Sequence, residues 1–349
     1  MDSKLISIIV PSFNRGDLIA ETLNSVFSQT YQKWECIIVD DGSSDDTIDI
    51  INSFIEKDSR FSFIKRSRFP KGAPTCRNIG LDFSNGEFII YLDSDDILAP
   101  YCLEQRFNKF SVHFDMDFLV FKSLLFVDEP FSNGFYWNID NEENDLARFI
   151  NLDALWQTSG PIYKKEFLLK MNGFKEDLLF WQDYDLHLRC LLKKGMYLKF
   201  FDLPVDVYIR DGRKDTISRS TPFTGDIKIL KKRIDFYYDI LNEYQTQLSK
   251  EHLKSLFSIL FFFSAQYIIR HGKYLMFLKK WSKINNFNKN SYSFCKSIIY
   301  VFLIKLSSRF SFVLKISEFY FKKKSNKIPD YYVVRRSNLG KIEFNDCII

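Results

Sequence analysis

The chain has 349 residues, of which 46% are hydrophobic and 27% are charged. This balance is typical of folded domains and excludes global disorder, and the length predicts one large or two ordinary domains. The net charge of +5 is unevenly distributed, because residues 221–349 carry 23 Lys and Arg against 9 Asp and Glu. We therefore expect two functional regions, the second of which faces an anionic partner.

The first part of the chain alternates between strand and helix patterns. Short apolar runs predict strands at residues 6–10, 35–39, 61–65 and 88–92, and amphipathic spacing predicts helices at 17–29, from 45 onward and at 75–83. This alternation indicates an α/β fold with a mostly parallel sheet and helices on both faces. The later pattern is helical, at 227–244, 253–270, 273–283 and 294–322, so we predict domains at 1–222 and 223–349.

The cysteines are scattered and none forms a Cys-x-x-Cys pair. This spacing disfavours a zinc cluster and a disulfide scaffold, and it indicates a reducing compartment. The first residues lack a basic-then-apolar signal peptide, and the longest charge-free stretch of the apolar second half, residues 255–269, is shorter than a membrane span. These features predict a cytoplasmic protein.

Ligands of open α/β sheets bind beyond the carboxyl ends of the strands. Polar residues follow three of the predicted strands at that edge: Pro11-Ser12, Asp40-Asp41 and Asp93-Ser94-Asp95-Asp96. Neither a Gly-x-Gly-x-x-Gly turn nor a Gly-x-x-x-x-Gly-Lys-Ser/Thr loop occurs there, which disfavours dinucleotide oxidoreductases and P-loop enzymes.

The third of these segments places three carboxylates directly after an apolar strand. Alternate residues of an extended segment point to the same side, so Asp93 and Asp95 can converge on one ion. Mg²⁺ and Mn²⁺ prefer such oxygen ligands and commonly share them with substrate phosphates. A solvated turn or a helix cap uses the same residue types, so the run alone leaves both interpretations open.

Further segments stand in a fixed order around these residues: Ser7–Asn14, Cys36–Ser43, Gly72–Gly80, Leu92–Asp96, Gly173–Glu176 and Trp181–Arg189. Together they resemble the family 2 glycosyltransferases with the GT-A fold, of the bacterial cell-surface polysaccharide type. The resemblance covers residues from 4 to about 220. It implies a nucleotide-sugar-binding GT-A domain with a helical C-terminal extension.

The resemblance also implies a role for each motif. The nucleotide sugar, with UDP as the favoured nucleotide, would be bound by Pro11, Ser12, Asp40, Asp41, Arg77, Asn78, Asp93 and Ser94. Asp93 and Asp95 would hold Mn²⁺ or Mg²⁺, and Asp183 would be the catalytic base for the acceptor hydroxyl. Two simpler interpretations stay open, namely that Asp40 caps the turn at Gly42 and that Arg77 is a helix-surface charge. His187 and the pair Asp185 and Arg189 are expected to be structural.

Two departures from the family pattern concern the site. Gln182 stands where family members commonly have Glu, so the neighbour of Asp183 is neutral. Residues 208–213 lack the His that often helps to hold the metal or the diphosphate. Arg210 or Arg213 could neutralise the diphosphate instead, or Asp211 could reach the metal.

The implied reaction is an inverting, divalent-metal-dependent transfer from a nucleotide sugar to a hydroxyl of a saccharide or lipid-linked saccharide, in capsule, lipopolysaccharide or exopolysaccharide synthesis. The metal would stabilise the departing diphosphate and the base would accept the hydroxyl proton. One alternative is a polyprenyl-phosphate sugar transferase, whose ionised acceptor does not need Asp183. A second is an inactive nucleotide-sugar-binding module, against which the intact set of Asp93, Asp95 and Asp183 argues.

The C-terminal region is strongly basic. From Arg270 to Lys327 it carries 14 Lys and Arg against one acid, Glu318, interleaved with aromatic and aliphatic residues at helical spacing. This pattern is typical of helices that lie on an anionic membrane surface, which we favour over a solvated structural domain and over nucleic-acid binding. We therefore expect a peripheral protein on the inner face of the cell membrane that binds no nucleic acid.

Overall fold

The computed structural model describes residues 3–130, 135–137, 139–141, 143–178, 180–211 and 227–253, with residues 255, 256, 259, 260 and 263. The described residues fall into two compact units. The first comprises 3–149 and 153–211, and the second comprises 150–152 with the described residues from 227 on. The predicted boundary at residue 222 and the predicted helices at 273–283 and 294–322 lie outside the described residues.

The first unit alternates between strands and helices, as its sequence predicts. Its strands are β1 (Ile6–Ser12), β2 (Trp34–Asp40), β3 (Phe61–Lys65), β4 (Phe88–Tyr91), β5 (Ile97–Leu98), β6 (Phe118–Phe121), β7 (Ser123–Phe126), β8 (Phe135–Tyr136), β9 (Pro161–Lys164), β10 (Tyr197–Phe200) and β11 (Val207–Arg210). Its helices are α1 (Ile19–Phe27), α2 (Thr47–Lys57), α3 (Ala73–Phe83), α4 (Cys102–Val112), α5 (Asp145–Ile150), α6 (Lys165–Lys170) and α7 (Gln182–Leu192).

Within the described residues, one seven-stranded sheet has the order β10-β6-β9-β4-β1-β2-β3. Its neighbouring strands are parallel except for β9, which runs antiparallel to both β4 and β6. Every residue of β1 and β4 is buried. Helices cover both faces of a parallel sheet, which explains why these strands read as continuous apolar runs.

The two faces of the sheet pack against different helices. On one face, Ile8 and Val10 belong to a core cluster with Ile19 and Leu23 of α1. On the other face, Ile37 and Val39 pack against residues of α3. Gly80 permits this second contact, because a Cβ atom at that position would overlap the side chain of Ile9. The predicted α/β fold with helices on both faces is therefore confirmed.

A smaller sheet is built from β5, β11, β7 and β8 in that order. Strand β11 runs parallel to β7 and antiparallel to β5. Because β5 begins directly after Asp96, this sheet fixes the end of the acidic segment 93–96.

The second unit contains α8 (Ile227–Tyr244), which confirms the helix predicted at 227–244, and a further helix from residue 250. Within this unit Leu230, Tyr237 and Leu241 are buried, and the ring of Tyr237 stacks on Phe263 with centroids 6.0 Å apart. None of the helices in the described part of the chain is long and apolar enough to cross a membrane.

Candidate active site

The parallel register of the sheet brings the polar segments together at one edge. Ser12 lies opposite Asp40 in the pairing of β1 with β2, and the amide of Asp41 donates to the carbonyl of Ser12 at 2.8 Å. On the other side of β1, the amide of Leu92 donates to the carbonyl of Ile9 at 3.0 Å. The segments after β1, β2 and β4 therefore meet at the carboxyl edge, as the sequence predicts.

Asp40 is fully buried and is used to build a turn. Its carboxylate accepts hydrogen bonds from the amides of Gly42 at 2.8 Å and Ser43 at 2.9 Å, and also from the Ser43 hydroxyl. Gly42 has a φ of +94°, a conformation that favours glycine. Of the two roles considered for Asp40, the structure shows the cap; a contact with the nucleotide stays a prediction.

Asp41 also lies at this edge and is paired with a residue that the motifs did not indicate. The Arg66 guanidinium donates through Nε to Asp41 Oδ1 and through Nη1 to the carbonyl of Arg68 at 2.7 Å. Pro11 and Ser12 are buried at the end of β1. The structure thus places three of the predicted donor-binding residues side by side.

The carboxylates of the acidic segment after β4 differ in burial and in their contacts. Asp96 is buried and accepts hydrogen bonds from the Ser159 hydroxyl at 2.9 Å and from the Arg210 amide at 3.2 Å. Asp93 and Asp95 are only partly buried, and the Asp93 side chain is 35% exposed. Residues 93–96 form a turn closed by the Asp96 amide, which donates to the Asp93 carbonyl at 3.0 Å, so the extended geometry expected from the sequence is wrong. Asp93 and Asp95 are nevertheless both partly exposed, whereas Ser94 and Asp96 are buried.

Negative charge is crowded at this segment. Burial, followed by the charge of Asp93, raises the pKa of Asp95, and the guanidinium groups of Arg15 and Arg210 offset part of that shift. Burial also raises the pKa of Asp96, with the charges of Asp95 and Asp93 as further causes. A cation bound between these carboxylates would relieve both effects.

Arg77 connects the acidic segment to the acceptor-side motif. It lies on α3 and is only 5% exposed, so the interpretation as a helix-surface charge is wrong. Its Nη2 donates to Asp93 Oδ1 at 2.6 Å, and its Nη1 donates to Gln182 Oε1 at 3.1 Å. Segments that are 105 residues apart in sequence therefore meet at one side chain.

Asp183 follows Gln182 in the first turn of α7 and is partly exposed. Its Oδ1 accepts a hydrogen bond from the Tyr184 amide at 2.8 Å. Trp181, at the start of the helix, has a φ of +59°, a conformation that non-glycine residues adopt at a cost of about 1 kcal/mol or more. The base predicted from the sequence thus lies next to the residue that contacts Arg77.

The remaining polar residues of α7 are structural, as predicted. Arg189 Nε donates to Asp185 Oδ2 at 2.7 Å, and its other nitrogens donate to the carbonyls of Met171 and Gly173. His187 packs against Trp156 with ring centroids 5.9 Å apart, and burial lowers its pKa to about 3. These contacts fix the helix that carries Asp183.

Asn78 lies next to Arg77, but its amide holds the segment 173–176. Its Nδ2 donates to the carbonyl of Phe174 and to Glu176 Oε1, both at 2.9 Å, and its Oδ1 accepts from the Phe174 amide at 2.9 Å. Glu176 also accepts from Arg68 at 2.9 Å. Donor binding by Asn78 stays a prediction, whereas its contact with this segment is observed.

Several residues that support the site carry no motif signal in the sequence, among them Arg106, Ser159 and Asp206. Arg106 and Asp206 form a fully buried ion pair, with Nη2 2.7 Å from Oδ1, and Arg106 Nη1 also donates to the carbonyl of Ser159 at 3.0 Å. Ser159 in turn holds Asp96. Arg210 Nε donates to the carbonyl of Asp95 at 3.1 Å, and its Nη2 pairs with Glu21. Residues 212 and 213 lie outside the described part of the chain.

Comparison with known proteins identifies the family of the first part of the chain. The model of the family described as Glycosyl transferase family 2 matches residues 7–160. Residues 7–160 are a family 2 glycosyltransferase domain. The family 2 domain contains β1 to β4, the acidic segment and Ser159, whereas Gln182 and Asp183 lie beyond the matched residues.

Curated relatives match part of the chain. An uncharacterized glycosyltransferase of Haemophilus influenzae is 42% identical over 110 residues, which are 31% of this chain and 43% of the relative. The UDP-Glc:alpha-D-GlcNAc-diphosphoundecaprenol beta-1,3-glucosyltransferase WfgD of Escherichia coli is 41% identical over 108 residues, which are 31% of this chain and 42% of WfgD. The chain thus spans less than half the length of these relatives.

The fold extends over more of the chain. The crystal structure of S. aureus TarS 1-349 in complex with UDP-GlcNAc superposes with a TM-score of 0.58 at 20% identity, covering 95% of this chain and 90% of that chain. At this identity the likeness establishes the fold alone. The chain has the GT-A fold, which confirms the fold class implied by the sequence motifs.

The carboxylate oxygens of Asp93 and Asp95 fit a divalent cation that completes its coordination with oxygens of the substrate. Among the described residues there is no group of three or more His, Cys, Asp or Glu placed to hold a metal ion. Asp93 and Asp95 supply two accessible carboxylates, and Mg²⁺ or Mn²⁺ commonly takes one or two from the protein and the rest from phosphate and water. The residues therefore fit a metal that binds together with a diphosphate.

Proposed function

We propose that the chain is an inverting, divalent-metal-dependent glycosyltransferase that moves a sugar from a nucleoside-diphosphate donor to a hydroxyl of a lipid-linked saccharide. The observation that carries this proposal is the double contact of Arg77, with Asp93 on one side and Gln182, the neighbour of Asp183, on the other. One buried side chain thereby fixes the separation between a diphosphate-binding segment and a carboxylate able to act on an acceptor.

The donor side of the proposal involves Asp93, Asp95 and the residues behind them. These two carboxylates would hold Mn²⁺ or Mg²⁺, which would act as a Lewis acid toward the departing diphosphate. Arg77 keeps Asp93 in place, and Ser159 with Arg210 holds the buried Asp96 so that the accessible pair faces outward. Pro11, Ser12, Asp40, Asp41, Asn78 and Ser94 are proposed to shape the nucleotide-sugar pocket at the same edge.

The acceptor side involves Asp183. A hydroxyl oxygen attacks the anomeric carbon as the bond to the diphosphate breaks, and its proton moves to the Asp183 carboxylate. A single displacement of this kind inverts the anomeric configuration. Asp183 is partly exposed, and its Oδ1 accepts the Tyr184 amide at 2.8 Å, which leaves lone pairs of the carboxylate for the proton of an incoming hydroxyl.

The comparisons support a UDP-sugar donor and a lipid-linked saccharide acceptor. TarS was crystallised with UDP-GlcNAc, and WfgD is named for UDP-Glc and GlcNAc-diphosphoundecaprenol. A relative from Campylobacter jejuni, 29% identical over 180 residues, is named a GalNAc(5)-diNAcBac-PP-undecaprenol beta-1,3-glucosyltransferase. Acceptors of this kind present a sugar hydroxyl, and they favour a hydroxyl acceptor over the polyprenyl-phosphate alternative.

The proposal includes a peripheral position on the inner face of the cell membrane and a role in cell-surface polysaccharide synthesis. The basic residues between Arg270 and Lys327 support it through their sequence, because about 1 kcal/mol is gained for each cation near an anionic leaflet.

The test is to incubate the full chain and Mn²⁺ with UDP-, GDP- and dTDP-sugars and an undecaprenyl-diphosphate-linked saccharide. We expect transfer from a UDP-sugar, with an inverted anomeric centre in the NMR spectrum of the product. Transfer to polyprenyl phosphate alone would support the alternative acceptor. Donor binding without transfer to any acceptor would identify an inactive binding module.

A further inference from the structure

The segment that joins β3 to α3 differs in charge from the rest of the first unit. Between Asp58 and Asp82 the sequence has no acidic residue and six basic ones: Arg60, Lys65, Arg66, Arg68, Lys71 and Arg77. Four of these six lie in residues 65–72, which we name the basic loop. The first unit as a whole is acidic, so the basic loop is a local reversal of charge.

The basic loop lies at the edge of the sheet that carries the candidate active site. Lys65 ends β3 and lies opposite Asp40 in the pairing with β2, and Arg66 donates to Asp41. Whatever the basic loop binds is therefore next to the proposed donor pocket.

Two arginines fix the conformation of the basic loop. Arg66 bonds both Asp41 and the carbonyl of Arg68, while Arg68 pairs with Asp82 and Glu176, each at 2.9 Å. Both arginines are thereby paired with groups of the protein itself, although the Arg68 side chain stays 42% exposed. Lys65, Lys71 and the residues at the tip of the basic loop are exposed as well.

The tip of the basic loop exposes an aromatic side chain. Phe69 is 84% exposed, and Pro70 beside it is exposed as well. The Arg66 guanidinium lies 5.0 Å from the centroid of the Phe69 ring, and the exposed side chains of Lys65 and Lys71 flank it in sequence. The Lys71 ammonium lies 3.7 Å from the centroid of the Phe13 ring. An exposed aromatic ring with cations close to it in the chain suits the headgroup region of an anionic bilayer, where rings enter the interface and cations meet phosphate.

We infer that the basic loop inserts Phe69 into the interface of an anionic membrane and so seats the active-site edge against the bilayer. This inference extends the proposed function, whose acceptor is attached to a lipid and must reach that edge. It is independent of the basic C-terminal region, because every contact that carries it lies in the first unit.

The test uses the full chain with Phe69→Trp and vesicles of phosphatidylglycerol with phosphatidylcholine brominated in its acyl chains. The fluorescence of the five native tryptophans is measured in the unsubstituted protein and subtracted. We expect the fluorescence added by the new tryptophan to shift to the blue and to be quenched by bromine. Val112→Trp is the matched control, because Val112 is 74% exposed at the end of α4, before β6, at the opposite edge of the sheet.

The added fluorescence of Val112→Trp is expected to stay unquenched on the same vesicles. Equal quenching at both positions, or quenching at neither although the protein co-sediments with the vesicles, would overturn the inference. The same two outcomes leave the proposed sugar transfer intact, because transfer to the undecaprenyl-diphosphate-linked saccharide is measured separately. A protein that inserts Phe69→Trp but transfers no sugar would contradict the proposed function alone.

A charge variant gives a second readout. Lys65→Gln is expected to lower the vesicle partition coefficient about fivefold, the fold-change that corresponds to one lost cation at an anionic surface. Lys170→Gln removes the same charge from the exposed end of α6 and is expected to change partition less than twofold. Equal losses for the two variants would show a response to net charge only and would overturn a specific role of the basic loop.

Discussion

Gln182 Oε1 lies 3.1 Å from Nη1 of Arg77, so a neutral amide occupies the position beside the proposed base while still holding the buried guanidinium. The Arg77 guanidinium thereby has one charged partner, Asp93, and one neutral partner, Gln182. The contact ties α7 to α3 across the proposed site.

Replacing this amide by an apolar side chain of similar length tests the contact. Gln182→Met removes the acceptor and leaves a buried guanidinium N–H without its partner, which costs about 1–3 kcal/mol. We expect the free energy of unfolding, measured by urea denaturation, to fall by that amount. Gln182→Glu restores an acceptor and is expected to keep the stability within about 1 kcal/mol of the natural protein. Equal losses in both variants would show that the contact does not matter.

Ser159 is predicted to control metal binding through Asp96. Ser159→Ala removes the hydrogen bond to Asp96 Oδ2 and the acceptor for the Asp93 amide, so the acidic segment loses its support. Loss of a supporting contact of this kind commonly weakens metal affinity at least about tenfold. Mn²⁺ affinity in the presence of UDP is measured by electron paramagnetic resonance. Ser123→Ala, a buried serine that bonds Gln157 instead, is the control and is expected to bind Mn²⁺ normally.

His187 makes the stability of the protein depend on pH. It is 2% exposed, and its pKa is about 3 because burial, followed by the charges of Arg77 and Arg189, disfavours its protonated form. The unfolded chain takes up this proton near the ordinary histidine pKa of about 6.5, so stability falls as the pH decreases from 6.5 toward 3.

The slope from this one group is about 1.4 kcal/mol per pH unit within that window. His187→Gln is expected to remove it, so that urea denaturation at pH 7, 6 and 5 shows a flatter dependence than in the natural protein. Parallel curves for the two proteins would contradict the assignment of a neutral, buried His187.

Gly173 is predicted to be indispensable for the segment that Asn78 holds. Its φ is +55°, and a Cβ atom there would overlap Asn78 Oδ1. Gly42 also has a positive φ, but no atom lies within 4 Å of the place of its Cβ. Gly173→Ala is therefore expected to lower the free energy of unfolding by clearly more than Gly42→Ala, for which backbone strain of about 1–2 kcal/mol is the main cost. Equal losses would show that Asn78 can move without consequence.

The sequence predicts the first four strands and three helices well, because parallel strands buried on both faces leave continuous apolar runs and helices leave amphipathic spacing. The place of Asp93 and Asp95 at the carboxyl edge follows from the same pattern. The insertion of β9 between β4 and β6 left no such signal, since its antiparallel pairing depends on strands that are distant in the sequence.

The supporting residues of the site were beyond prediction for the same reason. Arg106 and Asp206 are 100 residues apart, and an arginine on an amphipathic helix looks the same whether its charge is solvated or buried. Asp40 shows a different difficulty, because aspartate before a glycine turn serves equally as a cap and as a ligand. Only the hydrogen bonds to Gly42 and Ser43 distinguish the two roles.

The most direct test of the proposed function is the separation of donor binding from transfer in Asp183→Asn. We expect the variant to bind the UDP-sugar with unchanged affinity, while the single-turnover transfer rate falls by about 10²–10⁴-fold, because only the acceptor proton loses its base. Asp177→Asn, which removes an exposed carboxylate from the preceding loop, serves as the control and is expected to transfer normally. Near-normal transfer by Asp183→Asn would contradict the role of Asp183 as the base.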